Sequence, residues 1–301
     1  MSDASDLFTG FAERRVKTAA GVEIYARIGG SGPPLLLLHG YPQTHVMWHR
    51  IAAELARHCT LVIVDLRGYG ASSAPPGDAD HVTYSKRAMA EDCIALMRAL
   101  GHAQFMTAGH DRGGRVAYRL ALDHPEAITA LVPIDIIPTG EVWQRANASW
   151  AVKTFHWSFL AQPHPIPERL IGNDPVFWVE QTLIAAAGTH DLSAFAPEAL
   201  ARYRISLDDP ARIHAVCEDY RAGATIDRRL DDADLAAGRR ITCPTLVLYA
   251  DNYLAGGPLD VWKPWCAKLS GAAVKSGHYL AEENPKDTLA AIVPFLNSIG
   301  E

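Results

Sequence analysis

The sequence TAGHDRGGRVAYRLALDHP, residues 107–125, contains an aspartate between glycines in the order Gly-His-Asp-Arg-Gly, with Asp111 at the centre. It follows an apolar run that is typical of a buried strand and opens an amphipathic segment that is typical of a helix. The flanking glycines permit a sharp strand-to-helix turn, which pushes the central side chain out at the carboxyl edge of a sheet. The start of a helix also favours a negative charge. The stretch therefore predicts an ionised carboxylate at the sheet edge of an α/β fold.

The rest of the chain repeats this alternation of strand and helix. Continuous runs of leucine and β-branched residues are typical of parallel strands that are covered on both faces. We predict strands over 22–29, 34–40, 60–70, 103–111, 128–135 and 244–251, and helices over 47–57, 84–100, 113–123, 259–269 and 285–299. The alternation predicts an α/β protein with a mostly parallel, doubly wound sheet.

One long interval interrupts this pattern. Between Pro138 and Ile226 there is no convincing central strand, and the segment is rich in aromatic residues, histidine and proline. We interpret residues 138–226 as a helical cap that is inserted into a core domain made of residues 1–137 and 227–301. A chain of 301 residues is long enough for one large α/β domain with such an insertion.

The composition is that of an ordinary soluble protein. Charged residues make up 21% of the chain, the net charge is −6, and acids and bases are interspersed, so no basic block indicates nucleic-acid binding. The N-terminus lacks the apolar region of a signal peptide, and the longest apolar runs are too short to span a membrane. The five cysteines are scattered, as expected for free thiols in a reducing compartment. We expect a cytoplasmic protein, and the sequence indicates no metal or organic cofactor.

An aspartate at the turn indicates a particular kind of substitution. Its ordinary pKa is about 4, so the Asp111 carboxylate is ionised at neutral pH and needs no base to activate it. Attack on a saturated carbon gives an ester, whose carbonyl carbon water can attack in a second step. A serine there would give an ether, which water does not readily cleave. Asp111 therefore points to cleavage of a carbon–halogen bond or to opening of an epoxide.

The segment KSGHYLAEENP (275–285) supplies a candidate base. His278 follows the expected last strand, and the order nucleophile, acid, histidine is typical of an α/β-hydrolase. His278 would activate the water that attacks the ester. Two carboxylates that end predicted strands, those of Asp135 and Asp251, could orient the histidine, and Asp260 lies just beyond. We favour Asp135 and keep Asp251 and Asp260 as alternatives.

A turn upstream of the aspartate supplies candidate donors for an oxyanion hole. Residues 39–42 have the sequence His-Gly-Tyr-Pro and follow a predicted strand. A turn here can direct the backbone N–H of Tyr41 at a developing oxyanion, beside the N–H of Arg112, which follows the nucleophile. We therefore predict that the backbones of Tyr41 and Arg112 form the oxyanion hole.

Several separated segments, taken in order, resemble one known family. They include HGYPQTHVMWHR (39–50), DLRGYGAS (65–72), YSKRAMA (84–90), AGHDRGGRVAYRLALDHP (108–125), FHWSFLAQPHPIP (155–167), CEDYRAGA (217–224) and SGHYLAEE (276–283). The chain is similar over nearly its whole length to the dehalogenases of the α/β-hydrolase fold, and within them to the haloacetate (fluoroacetate) dehalogenases. The resemblance implies that Asp111 is the nucleophile, His278 the base and Asp135 the acid, and it is compatible with a homodimer.

The resemblance also implies a role for five further side chains. Arg112 and Arg115 would hold the substrate carboxylate, and their spacing at a helix start lets both point to one side. His156, Trp157 and Tyr220 would bind the halide. Each of these three has a polar hydrogen, and a departing fluoride needs several donors in a dry pocket. Without the resemblance, ordinary aromatic packing in the cap would explain them.

Three features depart from the pattern of the family. Tyr41 stands where we expect phenylalanine, the stretch LIAAAGTHDL (183–192) is rich in alanine where relatives carry larger residues, and the loop ADNYLAGGPLD (250–260) is atypical. A roomier pocket would favour chloroacetate, bromoacetate or longer 2-haloacids over fluoroacetate.

The sequence thus predicts hydrolytic dehalogenation of a short, anionic 2-haloacid through an aspartyl ester. A soluble epoxide hydrolase shares the aspartate and histidine, but it uses cap tyrosines as acids, and a neutral epoxide gives Arg112 and Arg115 no partner. A haloalkane dehalogenase of neutral substrates typically has tryptophan after the nucleophile, where this chain has arginine. A non-catalytic binding protein of the same fold is a further alternative, which the intact Asp111 and His278 disfavour.

Overall fold

The computed structural model describes residues 7–18, 21–254 and 256–299. Residues 1–6 lie outside the described residues; they belong to the N-terminal segment in which we found no apolar region of a signal peptide. Ala255 of the atypical loop also lies outside the described residues. No helix in the described ranges is both long enough and apolar enough to cross a bilayer.

An eight-stranded sheet organises the chain. Its spatial order is β1-β2-β4-β3-β5-β6-β7-β8; β1 and β2 run antiparallel to their neighbours, and the other pairs are parallel. The central strands are buried, as their continuous apolar runs require. The strands are β1 Ala12–Lys17, β2 Glu23–Gly30, β3 Pro34–Leu38, β4 Thr60–Val64, β5 Phe105–His110, β6 Ile128–Ile134, β7 Ile241–Ala250 and β8 Cys266–Val274.

Helices cover the sheet and fill the long interval between β6 and β7. The helices outside that interval are α1 His49–Leu55, α2 Lys86–Ala99, α3 Asp111–Asp123, α12 Leu259–Trp262, α13 Leu280–Glu283 and α14 Pro285–Asn297. Those within it are α4 Thr139–Gln144, α5 Ala148–Lys153, α6 His156–Leu160, α7 Ile166–Asn173, α8 Pro175–Ala186, α9 Pro197–Arg204, α10 Pro210–Ala224 and α11 Ile226–Ala236. Short 3-10 helices cover His45–Trp48 and Val82–Tyr84.

The predicted pattern of strands and helices differs from the structure mainly near the C-terminus. A helix over 259–269 was wrong, since α12 ends at Trp262 and β8 begins at Cys266. Pro264 explains the difference, because proline cannot continue a helix and clashes with the preceding turn. The edge strand β1 was not predicted, since nearly all of its residues are exposed. The strands over 34–40 and 60–70 end earlier than expected, at Leu38 and Val64.

The interval from Thr139 to Ala224 contains helices and no strand, which agrees with the expected helical insertion. Its exact boundaries at residues 138 and 226 stay a prediction. The carboxyl ends of the parallel strands point towards this helical segment. The residues that follow β3, β5, β6 and β8 therefore lie next to its helices. The side chains predicted to carry the chemistry come from these strand ends, from the first turns of α3, and from α6 and α10.

Candidate active site

The strand-to-helix turn places Asp111 in an uncommon backbone conformation. Its φ is +44°, in the left-handed region, and it is the first residue of α3. The glycines around it allow the turn, since a Cβ on Gly114 would lie 2.7 Å from the carbonyl oxygen of Gly109, and one on Gly113 would overlap the backbone of β3. Backbone strain of this kind persists where the surrounding structure holds the residue in place.

The carboxylate of Asp111 is buried and ionised. Burial by itself would raise the pKa of this carboxyl, but the nearby positive charges of His278, Arg115 and Arg112 lower the pKa below its ordinary value. One oxygen, Oδ2, accepts a hydrogen bond of 3.1 Å from the backbone N–H of Tyr41. A carboxylate in this state can act as a nucleophile without prior loss of a proton.

His278 is paired with Asp135. The two side chains form a hydrogen bond of 2.6 Å between Nδ1 of the histidine and Oδ2 of the aspartate, and the backbone N–H of Ala250 donates to Oδ1 at 2.8 Å. Burial would lower the pKa of His278, but the hydrogen bond and the charge of Asp135 raise it above its ordinary value. The imidazole is therefore fixed through Nδ1, which leaves Nε2 for a proton from water.

The two alternative acids do not take this position. Asp251 is exposed on the turn after β7. Asp260 is also exposed and forms an ion pair of 2.6 Å with Lys263. Of the three carboxylates considered from the sequence, the structure brings only Asp135 to the histidine.

Two histidines near the turn have structural contacts. Nε2 of His39 accepts from the backbone N–H of Leu66 at 3.0 Å, so its Nδ1 carries the proton and donates to the carbonyl oxygen of Gly40. Nε2 of His110 donates to the carbonyl oxygen of His278 at 2.8 Å, and the two rings lie 4.4 Å apart. Burial lowers the pKa of His110 to about 3, so this ring stays neutral.

The expected oxyanion donors are at the right turn. The hydrogen bond from Tyr41 to Asp111 is present, while the N–H of Arg112 lies in the first turn of α3 with no recorded hydrogen bond to that side chain. The phenol of Tyr41 reaches the helical segment, where its oxygen accepts from Nε1 of Trp178 in α8. Its ring packs edge-to-face on Tyr220, with 5.5 Å between centroids. The hydroxyl that distinguishes Tyr41 is therefore bonded to the helical segment.

Arg112 is fully buried and bound to a carboxylate that sequence reasoning missed. Its Nε and Nη2 donate to the two oxygens of Asp219, at 3.0 and 2.6 Å. Lys86 and Tyr69 also donate to Asp219, so a buried ionic network surrounds it. Charge attraction from Arg112 and Lys86 lowers the pKa of Asp219 despite its burial. The remaining nitrogen of Arg112, Nη1, has no hydrogen-bond partner among the described residues.

Arg115 is also buried, but its recorded partners are neutral. Its Nη1 donates to the carbonyl oxygen of Ile137 at 3.0 Å and to the hydroxyl of Thr139 at 3.1 Å. Within the described residues, Arg115 forms no ion pair with a carboxylate at contact distance, and its buried Nε has no hydrogen-bond partner. The guanidinium lies 4.6 Å from the ring centre of Trp157, and that of Arg112 lies 5.7 Å from the same ring. Both arginines therefore flank Trp157.

The three predicted halide donors lie together. The Tyr220 ring packs edge-to-face on Trp157 at 5.9 Å and on His156 at 6.0 Å. In the described part of the chain, none of their side-chain polar groups has a recorded protein partner, which leaves an N–H or O–H of each available to a ligand. Burial lowers the pKa of His156 to about 4 and raises that of Tyr220. All three donors are thus neutral at pH 7.

A separate group of side chains of the types that bind metals is formed by Glu168 on α7, His214 on α10, and His164, which lies just before α7. His164 and His214 place Nδ1 at 3.3 and 3.1 Å from Oε1 of Glu168. Arg221 donates to both oxygens of that carboxylate, at 2.8 and 3.1 Å. Since Glu168 is already matched by a guanidinium, we interpret the group as an ion-pair cluster and assign no metal to it.

Comparison with known proteins agrees with this geometry. A family model described as the alpha/beta hydrolase fold matches residues 33–285. The chain belongs to the α/β-hydrolase fold family. The predicted fold class, a mostly parallel sheet with inserted helices, is therefore confirmed.

The similarity within this hydrolase family extends over almost the whole chain. A fluoroacetate dehalogenase from Burkholderia sp is 45% identical over 294 residues, which cover 97% of this chain and 95% of that protein. A soluble epoxide hydrolase from Corynebacterium sp. (strain C12) is 29% identical over 91% of this chain and 94% of that protein. A solved structure from Pseudomonas aeruginosa, provisionally called an epoxide hydrolase, is 44% identical, with a TM-score of 0.92 and 98% coverage of both chains. The resemblance to the haloacetate dehalogenases is thereby confirmed.

Sequence reasoning missed two acidic residues next to the predicted site, namely Asp219, which binds Arg112, and Glu283, which binds the backbone N–H groups on either side of His278. Asp219 directly precedes Tyr220 in the segment CEDYRAGA, and Glu283 ends the segment SGHYLAEE. The signal that could have identified them was the presence of an acidic residue in each of these two segments, next to predicted site residues. The guanidinium partner of Asp219 lies 107 residues away along the chain, and Glu283 also binds Gly188, 95 residues away, so only the fold identifies these contacts.

Proposed function

We propose that this hydrolase cleaves the carbon–halogen bond of a short 2-haloacid, such as a haloacetate, through a covalent ester on Asp111. The products are the hydroxyacid, glycolate from a haloacetate, together with a halide ion and a proton. The similarity to a fluoroacetate dehalogenase supports the reaction class. The contacts of the site residues support the finer steps.

The observation that carries the proposal is an unsatisfied guanidinium nitrogen on each of the two arginines whose charges lower the pKa of Asp111. Nη1 of Arg112 and Nε of Arg115 are buried without an acceptor in the described chain. An unsatisfied buried donor costs about 1–3 kcal/mol, and more on a charged group. A substrate carboxylate would satisfy both nitrogens and hold its α-carbon near Asp111 in spite of the like charges.

The first step is displacement of the halide. An oxygen of Asp111 attacks the α-carbon and forms the C–O bond while the carbon–halogen bond breaks, and the bonding electrons leave with the halide. His156, Trp157 and Tyr220 each offer one hydrogen to the departing ion, and none of them needs to lose a proton. Donors that are already oriented in a buried pocket stabilise developing charge more strongly than water does.

The second step is hydrolysis of the ester. His278 takes a proton from water, whose oxygen attacks the carboxyl carbon of Asp111. The bond between that carbon and the alcohol oxygen then breaks, the alcohol oxygen takes the remaining proton of the attacking water to give the hydroxyacid, and the imidazolium releases its proton to solvent. The imidazolium is stabilised by Asp135, with which it already forms a hydrogen bond. The negative charge on the tetrahedral intermediate would be held by the N–H of Tyr41, which already donates to Asp111, and by the N–H of Arg112.

An epoxide hydrolase is the alternative that the relatives suggest, but the site favours it less. An epoxide hydrolase uses tyrosines as acids for the ring oxygen, and the two tyrosines that pack on each other here are Tyr220 and Tyr41. The hydroxyl of Tyr41 is already engaged, because it accepts a hydrogen bond from Trp178. A neutral epoxide also leaves the two guanidinium nitrogens unsatisfied. Tyr41 and the small residues of 183–192 would affect the size of the pocket and, with it, the preferred halogen and chain length.

Halide release from fluoroacetate, chloroacetate and bromoacetate, with styrene oxide as the neutral control, tests the reaction class. We expect halide and glycolate in equal amounts from at least one haloacetate and no release with Asp111→Asn. Whole-protein mass of His278→Asn mixed with that substrate should reveal a stable carboxymethyl ester on Asp111. Diol formation from styrene oxide without halide release would instead favour an epoxide hydrolase, and binding without any adduct would favour a non-catalytic receptor.

The remaining predictions about partners and location stay predictions. They are the small anionic substrate, the absence of nucleic-acid and membrane contacts, the homodimer and the cytoplasmic location.

A further inference from the structure

The backbone of the candidate base is bound on several sides, which its assigned role does not explain. Three consecutive N–H groups all donate hydrogen bonds. Those of Gly277 and Tyr279 donate to the two carboxylate oxygens of Glu283, at 3.0 and 2.9 Å. The N–H of His278 between them donates to the carbonyl oxygen of Ala186, at 3.0 Å. Asp135 fixes the imidazole ring, whereas these contacts fix the main chain that carries it.

Glu283 also binds the helical segment. Its Oε2, which accepts from Gly277, accepts a second hydrogen bond of 2.8 Å from the N–H of Gly188, just after α8. The two glycines face each other without room for a side chain. A Cβ on Gly188 would lie 2.8 Å from the nitrogen of Gly277, and a Cβ on Gly277 would overlap Gly188. We call Glu283, Gly188, Gly277 and the Ala186 carbonyl the cap–base clasp.

We propose that Glu283 is a positioning residue for His278, and that the clasp makes the position of this base depend on the helical segment. The inference rests on the proposed function, because it takes His278 as the base of the hydrolysis step. It also gives a meaning to the alanine-rich stretch 183–192. Small residues after α8 permit the main chain there to approach the base directly, where larger side chains would separate the two backbones.

The clasp should act on one of the two chemical steps. Displacement of the halide uses Asp111, the arginines and the halide donors, none of which accepts or donates a hydrogen bond to Glu283. Hydrolysis needs the imidazole within hydrogen-bond reach of water, and a misplacement of about 1 Å can lower a rate by about 100-fold. Loss of Glu283 should therefore slow hydrolysis and leave displacement nearly unchanged.

The neighbouring Glu282 provides a matched control. It is fully buried in the same short helix, and its carboxylate is bonded to Gln43 and Tyr203 instead of to the backbone of the base. Substitution of Glu282 by glutamine thus disturbs the same helix while all hydrogen bonds of the clasp remain. A purely structural role of α13 would affect both variants alike.

The experiment compares Glu283→Ala, Glu283→Gln, Glu282→Gln and His278→Asn in rapid mixing with the haloacetate that the wild type accepts. Halide released in the first turnover reports displacement, and whole-protein mass of quenched samples reports the ester on Asp111. For Glu283→Ala we expect first-turnover halide release within about 3-fold of wild type, turnover lowered by about 100-fold, and accumulated ester. Glutamine retains one acceptor oxygen, so its loss should be smaller, about 10-fold.

Equal slowing of both steps in Glu283→Ala, with no accumulated ester although His278→Asn accumulates it, would overturn the clasp and leave the proposed function intact. Absence of the ester in every variant would count against the proposed function itself. The clasp is then judged without substrate, from the low-field proton resonance of the His278 Nδ1–H. This signal should broaden or shift in Glu283→Ala and Glu283→Gln and stay in place in Glu282→Gln; an unchanged signal in all three would overturn the inference.

Discussion

Arg112 and Arg115 lie three residues apart on the same helix, yet their surroundings differ in charge. Arg112 is bound by the Asp219 carboxylate, in a network that also contains Lys86. Arg115 is held by a backbone carbonyl and by the hydroxyl of Thr139. The charge of the first is therefore balanced inside the protein, whereas that of the second is not balanced by a direct ion pair in the described chain.

This difference assigns separate tasks to the two cations. The guanidinium of Arg112 is held by Asp219 through Nε and Nη2, which leaves the N–H groups of Nη1 without a partner among the described residues. The charge of Arg115 lowers the pKa of Asp111, and in the proposed reaction it would also offset the charge of an anionic substrate. The two arginines are equivalent in the sequence motif but differ in the structure: Arg112 is held by a carboxylate, whereas Arg115 has neutral hydrogen-bond partners.

The largest effect should come from removal of the charged anchor. Asp219→Asn leaves Arg112 and Lys86 buried without their shared counter-charge, and breaking a buried pair in this way typically costs about 3–5 kcal/mol. Urea denaturation should therefore show a large loss in the free energy of unfolding, together with loss of halide release. A stability within about 1 kcal/mol of wild type would mean that Arg112 is not balanced by Asp219.

Removal of the free charge should affect binding before folding. In Arg115→Met, the lost charge-assisted hydrogen bonds are worth about 1.5–3 kcal/mol, so KM for haloacetate should rise by about 10- to 150-fold. The urea midpoint should change little, because no carboxylate is left unpaired. An unchanged KM would contradict the assignment of Arg115 to the substrate carboxylate.

The pH dependence sharpens the comparison between the two steps and the two cations. Because the pKa of Asp111 is lowered, displacement should stay constant from pH 7 to about pH 4. Hydrolysis needs neutral His278, whose pKa is raised, so turnover should fall about tenfold per pH unit below that pKa. In Arg115→Met the acid limb of displacement should move to higher pH, since a charge that lowers the pKa of Asp111 is gone. First-turnover and steady-state halide release across pH measure the two limbs.

The smallest effect should come from the neutral anchor. Thr139→Val removes the hydroxyl that accepts from Arg115 and from Tyr118, at a cost of about 0.5–1.5 kcal/mol. We expect KM for haloacetate to rise by about 2- to 10-fold at nearly unchanged kcat. An effect as large as that of Asp219→Asn would remove the contrast between the two anchors.

The central fold was predictable because its signal is local. Buried parallel strands are continuous apolar runs, so the positions of these runs located β3 to β7. The glycines around Asp111 indicated the turn. The edge strand β1, with the sequence AERRVK, carries no such run and was missed. At the other edge, the apolar pattern of residues 259–269 predicted a helix, because the prediction did not take Pro264 into account.

The candidate site was predictable only as far as strand ends indicate it. Asp111, Asp135 and His278 each follow a strand, and parallel strands end at one edge. We favoured Asp135 from the sequence, as the resemblance also implies, but Asp251 ends a strand as well, and only the structure pairs Asp135 with His278. Asp219 and Glu283 could not be assigned a partner, because a carboxylate that binds a guanidinium 107 residues away, or backbone N–H groups, leaves no pattern in the surrounding sequence.

Asp219 and Tyr220 are consecutive residues of α10; the first is bound to the guanidinium of Arg112 in α3, and the second packs on Trp157, a predicted halide donor. A swing of all the inserted helices away from the sheet would pull an ion pair apart in a medium that solvates it poorly. We therefore expect α10 to remain in place throughout turnover, so that substrate enters and product leaves by local displacement of less anchored parts such as α5, which has no buried residue. Access of small molecules to the site would then depend on local movement of segments such as α5, while α10 stays fixed on the sheet.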